Sequence, residues 1–229
     1  MKSLVRSTLL ILILGTSLHA ADNELSKTEK EDGWQLLFNG HDLTGWKCNN
    51  GKPIATQVED ESLLPYQSGG YLIIHEKQFS DFILSCDVRF EDEDTNSGIF
   101  FRIENPEDPV NTSFEVQVMA GKNTGKHEMG AIYDLVSTTK NAGKPTGEWN
   151  HIVIRCEGPN ILVTVNGEEV SQLNCDEFDE PGVCPDGAKH KFKLDGKPRA
   201  VKDFARCGYL GFQDHGHKVW YKNVKLLEL

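Results

Sequence analysis

Acid–base chemistry needs a titratable side chain on an accessible face, with hydrogen-bond donors close by to take up developing charge. One stretch of this sequence meets that need through its spacing. Asn96-Ser97-Gly98-Ile99-Phe100-Phe101-Arg102-Ile103 and Phe114-Glu115-Val116-Gln117-Val118-Met119 both alternate with period two, the signature of strands whose two faces differ. Glu115 and Gln117 share one face of the second run, and strict alternation sets Arg102 on the same side as Gly98 and Phe100 in the first. Residues 104–113 carry two prolines and several polar residues, so the runs read as neighbouring strands joined by a loop. Once paired, Arg102, Glu115 and Gln117 would line one polar patch: an acid/base with two donors. The plainer alternative is a cross-strand Glu–Arg ion pair.

Other groupings offer less. Glu91-Asp92-Glu93-Asp94 lines up four carboxylates but lacks the spaced ligands of a calcium loop, and reads as a solvated turn. The six cysteines include no Cys-x-x-Cys pair, which argues against a zinc site. Cys86 and Cys156 fall on the apolar phase of strand-like runs and read as buried thiols. Up to three disulfides are open to an exported chain with this count, and Cys175–Cys184 is the candidate pair.

The elements that must position these groups are short strands. Residues 1–20 read as a signal peptide: Lys2 and Arg6, an apolar run from Leu9 to Leu14, then Leu18-His19-Ala20 as a cleavage site. The expectation is therefore an exported protein, periplasmic or secreted, cleaved near Ala20. The apolar run falls short of the roughly 20 residues of a membrane span, so no membrane insertion is expected. Removing residues 1–20 takes away two basic residues and no acidic ones, moving the net charge from −11 to −13. An acidic chain without a basic stripe argues against nucleic acid as a partner. Residues 21–32 are polar and read as a flexible linker, and residues 33–229 as a single domain.

Within that domain, Phe82–Phe90 alternates clearly, and Trp34–Phe38, Tyr71–Ile74, Gly130–Leu135, Glu148–Cys156, Ile161–Val165, Gly208–Phe212 and Val219–Leu227 supply further strands. Asn166-Gly167 is a hairpin turn. Residues 174–206 form a long irregular segment, of the kind that is usually functional or disordered. With no amphipathic helix and ten or more short strands, the fold class is all-β, a β-sandwich; the concanavalin-like jelly roll of two antiparallel sheets is what the resemblances described next imply.

Laminarinase-like glycosidases of the concanavalin-like lectin/glucanase fold carry a Glu-x-Asp-x-Glu strand whose outer carboxylates act as nucleophile and acid/base. The strand here resembles it but reads Glu115-x-Gln117-x-Met119, so the two carboxyls about 5–5.5 Å apart that double displacement requires are not both present. The whole chain more closely resembles the 3-keto-disaccharide hydrolase domain family, long catalogued only as a domain of unknown function. The likeness rests on Leu37-Phe38-Asn39-Gly40-x-Asp42-Leu43-x-Gly45-Trp46, Asn96–Arg102, Phe114–Gln117, Gly130–Tyr133, Gly147–Asn150, Val165–Gly167, Gly211–Gly216 and Val219–Val224, in order.

The resemblance implies cleavage of glycosides whose C3 hydroxyl is already a ketone, so the partner expected is an oxidised (3-keto) glycoside. A C3 ketone acidifies the C2 proton, so one base, donors for the enolate oxygen and one acid suffice. It makes Glu115 and His215 the catalytic acid/base candidates, His215 standing beside Asp214 on a Gly-flanked turn. Arg102 and Gln117 are the donors to ketone or hydroxyls, Tyr133 and Trp220 offer surfaces for a sugar face, and Asp134 and Asp214 complete the substrate-binding set. No cofactor is required by the sequence. A divalent metal held by Asp134, Asp214, His215 and Glu115 stays open as an alternative. So does a non-catalytic, lectin-like carbohydrate-binding module, because fold alone does not separate the two. Oligomeric state is not legible.

Overall fold

The computed structural model describes residues 21–229, apart from Gln57 and Lys122. The export segment expected over residues 1–20 lies outside the described residues. In chain order the elements are α1 (Lys27–Glu31), β1 (Gln35–Leu36), β2 (Trp46–Cys48), β3 (Leu72–Phe79), β4 (Phe82–Phe90), β5 (Asn96–Ile103), α2 (Pro109–Thr112) and β6 (Phe114–Met119). There follow β7 (Asn150–Glu157), β8 (Asn160–Val165), β9 (Glu168–Asn174), β10 (Lys193–Leu194), β11 (Lys197–Pro198), β12 (Gly208–Gln213) and β13 (Val219–Glu228).

They build a six-stranded sheet, β1-β13-β4-β7-β8-β9, and a five-stranded sheet, β2-β3-β12-β5-β6, with β10 and β11 forming a small separate hairpin. Every pairing is antiparallel, so the fold is an all-β, concanavalin-like jelly-roll sandwich. The alternation that predicts it also explains it. In β4, Phe82, Leu84, Cys86, Val88 and Phe90 turn inward, and they meet Ile99, Phe101, Phe114, Val116 and Phe212 of the other sheet in one core. Burying such side chains contributes about 25 cal/mol per Å2 of apolar area removed from water. Asn166 and Gly167 both take positive φ, as a two-residue hairpin between twisted strands requires.

The structure departs from strict alternation at one decisive point. Strand β12 pairs with β5 through Gly211↔Phe100 and Tyr209↔Ile103, so β5 carries one residue more than its partner between those points. This is a bulge, and Arg102 sits in it with φ of 51°. Beyond a one-residue bulge every side chain changes face. Ile103 therefore joins Phe100, Leu72 and Ile74 in a small apolar cluster outside the core, and Arg102 turns the other way. Gly208 makes room: a Cβ there would lie 2.4 Å from the carbonyl carbon of Arg102.

Three further expectations change. Residues 21–32, read as a flexible linker, are tied to the domain. Ser26 and Glu29 form a capping box on α1, Glu29 pairs with Lys225, and the Asn23 backbone N–H donates to Asn223 Oδ1 at 2.6 Å. Gly130–Leu135 is not a regular strand; it follows the edge of β6 through one isolated bridge, Val116↔Ile132. The Cys175–Cys184 pair is not formed: all six thiols are free, and Cys184 donates to the Asp134 carbonyl at 3.2 Å. No helix among the described residues is long and apolar enough to cross a membrane.

Candidate active site

The face of the five-stranded sheet turned away from the core carries a polar cleft of about 190 Å3. Its floor is β5, β6 and the end of β12, which bring Asn96, Glu115, Gln117 and Gln213 together. Register explains the grouping: Gln117 stands opposite Gly98, and Glu115 opposite Phe100, on one face. The walls come from loops, with Tyr71 ahead of β3, Val110 in α2, Tyr133 beside β6, Lys191 from the long 174–206 segment, and His215 just past β12.

Glu115 is the sole carboxylate lining this cleft among the described residues, and its side-chain oxygens have no hydrogen-bond partner there. It lies across Gly98, where a Cβ would meet its Oε1 at 2.1 Å. Part of the residue meets the cleft, but its carboxyl is largely desolvated, which pushes its pKa up to about 8, while the Lys191 ammonium pulls the other way. Desolvation and the nearby Glu115 charge in turn push the Tyr71 phenol up to about 12, so it stays protonated as a donor. Tyr71 accepts a hydrogen bond from the Gln213 amide.

His215 is exposed at the mouth of the same cleft. Its Nε2 lies 3.5 Å from Asn96 Nδ2, and Asn96 Oδ1 accepts from Gln117 Nε2 at 2.8 Å. A row of amides thus runs from the strand floor to the imidazole. The two acid/base candidates, drawn from segments a hundred residues apart, do line one cleft.

Other expected members lie elsewhere. Arg102 is fully buried, and its guanidinium donates to the Ser80 carbonyl (3.1 Å), the Gly158 carbonyl (2.9 Å) and Asp81 Oδ1 (3.0 Å). The bulge has turned it from the patch into a strut between the β3–β4 and β7–β8 turns. Trp220 is on the outer face of the six-stranded sheet, where its indole N–H donates to Glu59 at 3.1 Å and Arg89 stacks on its ring at 4.6 Å. Asp214 caps its own turn, accepting from the Gly216 N–H at 3.0 Å. Asp134 stands behind Tyr133 and is engaged by His127 (3.3 Å) and the Lys191 backbone N–H (3.4 Å). Asp134, Asp214, His215 and Glu115 therefore do not converge as a donor set, and no group of three or more His, Cys, Asp or Glu side chains able to hold a metal ion occurs among the described residues.

Tyr133 does line the cleft. Its backbone N–H donates to the Glu115 carbonyl at 2.8 Å, which fixes it beside that residue. Lys191 is a cleft residue that periodicity could not supply, because it comes from a loop; Tyr71, at the start of the expected strand Tyr71–Ile74, stands one residue ahead of β3 and joins the cleft though it is not among the expected site residues. The signal for Lys191 was the length of the 174–206 segment, which marks the region and not the residue.

Comparison with known proteins agrees with this architecture. Over 247 aligned residues the chain is 25% identical to a 3-keto-disaccharide hydrolase of Bacteroides thetaiotaomicron, covering 92% of this chain and 83% of that protein. Two crystal structures of provisionally assigned glycosyl hydrolases from Parabacteroides distasonis superpose with TM-scores of 0.72 and 0.73, at 27% and 25% identity. The first alignment covers 91% of this chain and all of that one, the second 86% and 99%. The family described as the 3-keto-alpha-glucoside-1,2-lyase-like domain matches residues 33–227. The chain belongs to that family, whose members act on glycosides.

Proposed function

We propose that this protein cleaves the glycosidic bond of 3-keto-glycosides by C2 proton abstraction and elimination, followed by hydration. The observation that carries the reading is the pairing of one desolvated carboxyl, Glu115, with one imidazole, His215, around a single cleft. Double displacement at an unoxidised glycoside requires two carboxyls, and among the described residues no second one lines the cleft. Elimination next to a ketone requires one base and one acid.

The raised pKa of Glu115 favours a division of labour. Glu115, raised to about 8, carries its proton at neutral pH and is suited to protonate the departing glycosidic oxygen. His215 takes the C2 proton. The C2–H electron pair becomes the C2=C3 bond of an enolate. That pair then forms C1=C2 as the C1–O bond breaks and the ketone returns. Water adds at C1 and a proton returns to C2, so the sum is hydrolysis. We place the activity outside the cytoplasm on the composition of residues 1–20, and take an oxidised glycoside rather than nucleic acid as partner on the acidic charge.

Incubating the protein with a chromogenic 3-keto-glucoside and its unoxidised parent tests the reading. Release from the keto substrate alone is expected. Binding of both sugars without release from either would instead make the protein a carbohydrate-binding module.

A further inference from the structure

With Arg102 committed to the far side of the bulge, the cleft needs another cation to hold an enolate oxygen. We propose that Lys191, paired with the Tyr133 hydroxyl, is the group that neutralises the C3 enolate, which makes it a further catalytic residue of this site. The proposal rests on the elimination reading above.

Lys191 is the one Lys or Arg that lines the cleft among the described residues, and its ammonium makes no ion pair with any carboxylate among them. Instead Nζ sits 4.4 Å from the centre of the Tyr133 ring and donates to Tyr133 Oη at 3.3 Å. One donor of three is thereby used, leaving two for a ligand. Because Tyr133 Oη accepts from Lys191, its own O–H is free to donate as well. Two donors, one charged, then share one small volume with the acid/base pair, as oxyanion stabilisation requires.

The placement is held from behind. Asp134, in left-handed backbone at φ of 62°, takes the Lys191 backbone N–H on one oxygen and His127 Nε2 on the other. The His127 ring packs on Tyr133 with centroids 4.8 Å apart. The Tyr133 ring is thus in contact with both an imidazole and an ammonium, and Asp134 acts as a positioning residue for the two. The field of Lys191 also reaches Glu115, whose proton affinity it lowers.

In the step assigned to this pair, the C2–H bond breaks, His215 receives the proton, and the electron pair moves to give C2=C3–O⁻. Lys191 and Tyr133 bind that oxygen without transferring a proton, and release it when the ketone re-forms as the C1–O bond breaks.

Enolisation can be read apart from loss of the aglycone with a 3-keto-1,5-anhydrohexitol, which has the C2 proton but no exocyclic leaving group at C1. In D2O the wild-type protein is expected to wash deuterium into C2. Lys191→Met should slow that exchange by about 10²–10³-fold and lower kcat with the chromogenic substrate by as much, with KM changed far less. Lys191→Arg, retaining charge, should restore part of both. Exchange at the wild-type rate in Lys191→Met, with turnover lost, would place Lys191 at the leaving group and overturn the proposal. A rise in KM with kcat unchanged would overturn it too, making Lys191 a binding residue only. If the wild-type protein neither exchanges C2 nor releases a leaving group from any 3-keto substrate, the elimination reading itself fails and the assignment of Lys191 falls with it.

Discussion

The Glu115 side chain lies directly over the bare Cα of Gly98, and a Cβ at that position would stand 2.1 Å from Oε1 and 2.8 Å from Cδ. Strand β5 thus supplies the floor on which the acid/base of β6 rests. Gly98→Ala is expected to displace the carboxyl while leaving the sandwich intact, because the clash is with the far end of one side chain. The expected loss in kcat/KM is about 10²-fold or more, approaching that of Glu115→Gln. Circular dichroism together with kinetics on a 3-keto-glucoside checks it; a fully active Gly98→Ala would remove Glu115 from the chemistry.

The raised pKa of Glu115 makes two statements about pH. For activity, a carboxyl acting as acid must hold its proton, so kcat/KM should fall as pH rises through about 8. Glu115→Gln should lose that limb together with most of the rate. For stability, the folded state binds the proton more tightly than the unfolded chain, whose pKa is near 4.5. This contribution is fully present below pH 4.5 and is lost as pH rises through about 8. Glu115→Gln should therefore flatten the decline of Tm between those values, measured by thermal unfolding across the range.

Arg102 gives the opposite expectation. Its guanidinium is buried against two carbonyls and Asp81, so Arg102→Met leaves three acceptors without their donor. Asp81, whose side chain is 38% exposed, keeps the Gly158 N–H as a donor, so the cost falls on the two carbonyls, at about 1–3 kcal/mol for an acceptor left unsatisfied. Urea unfolding should show that loss, while the protein that remains folded turns over at close to the wild-type rate. A large drop in kcat at unchanged stability would restore Arg102 to the cleft.

Trp220 tests the same distinction on the other sheet. Trp220→Phe removes an indole N–H bonded to Glu59 and weakens the stacking of Arg89, at a modest cost in stability. Because Trp220 lies on the face opposite the cleft, KM for the keto substrate should change by less than about 2-fold, whereas Tyr133→Phe, on the cleft wall, should change turnover measurably.

How much of this was legible follows from where each residue sits. Period-two alternation placed Glu115 and Gln117 on one face because β6 is regular over its whole length. It misplaced Arg102 because a bulge adds a residue, and Arg102 does not advertise positive φ as a glycine would. Family likeness picked out His215, but that it lines the same cleft as Glu115 depends on β12 lying next to β5, a pairing between segments far apart in sequence. The ring of Trp220 suits a sugar face, but alternation on β13 does not say which of Trp220 and Tyr221 faces the core; Tyr221 does. Lys191 was beyond reach, since its position depends on the path of an irregular segment and on the bond from its backbone to Asp134.

The anchoring of residues 21–32 has a practical consequence. Lys222 and Lys225, which hold Asp22 and Glu29, project from the outer face of the six-stranded sheet, whereas Glu115 and Gln117 project from the outer face of the five-stranded one. A surface, bead or fused carrier attached ahead of Asp22 would therefore grip the molecule by its back. Soluble sugars would still approach the front unobstructed, so the protein can be immobilised through that end without masking the groups that meet substrate.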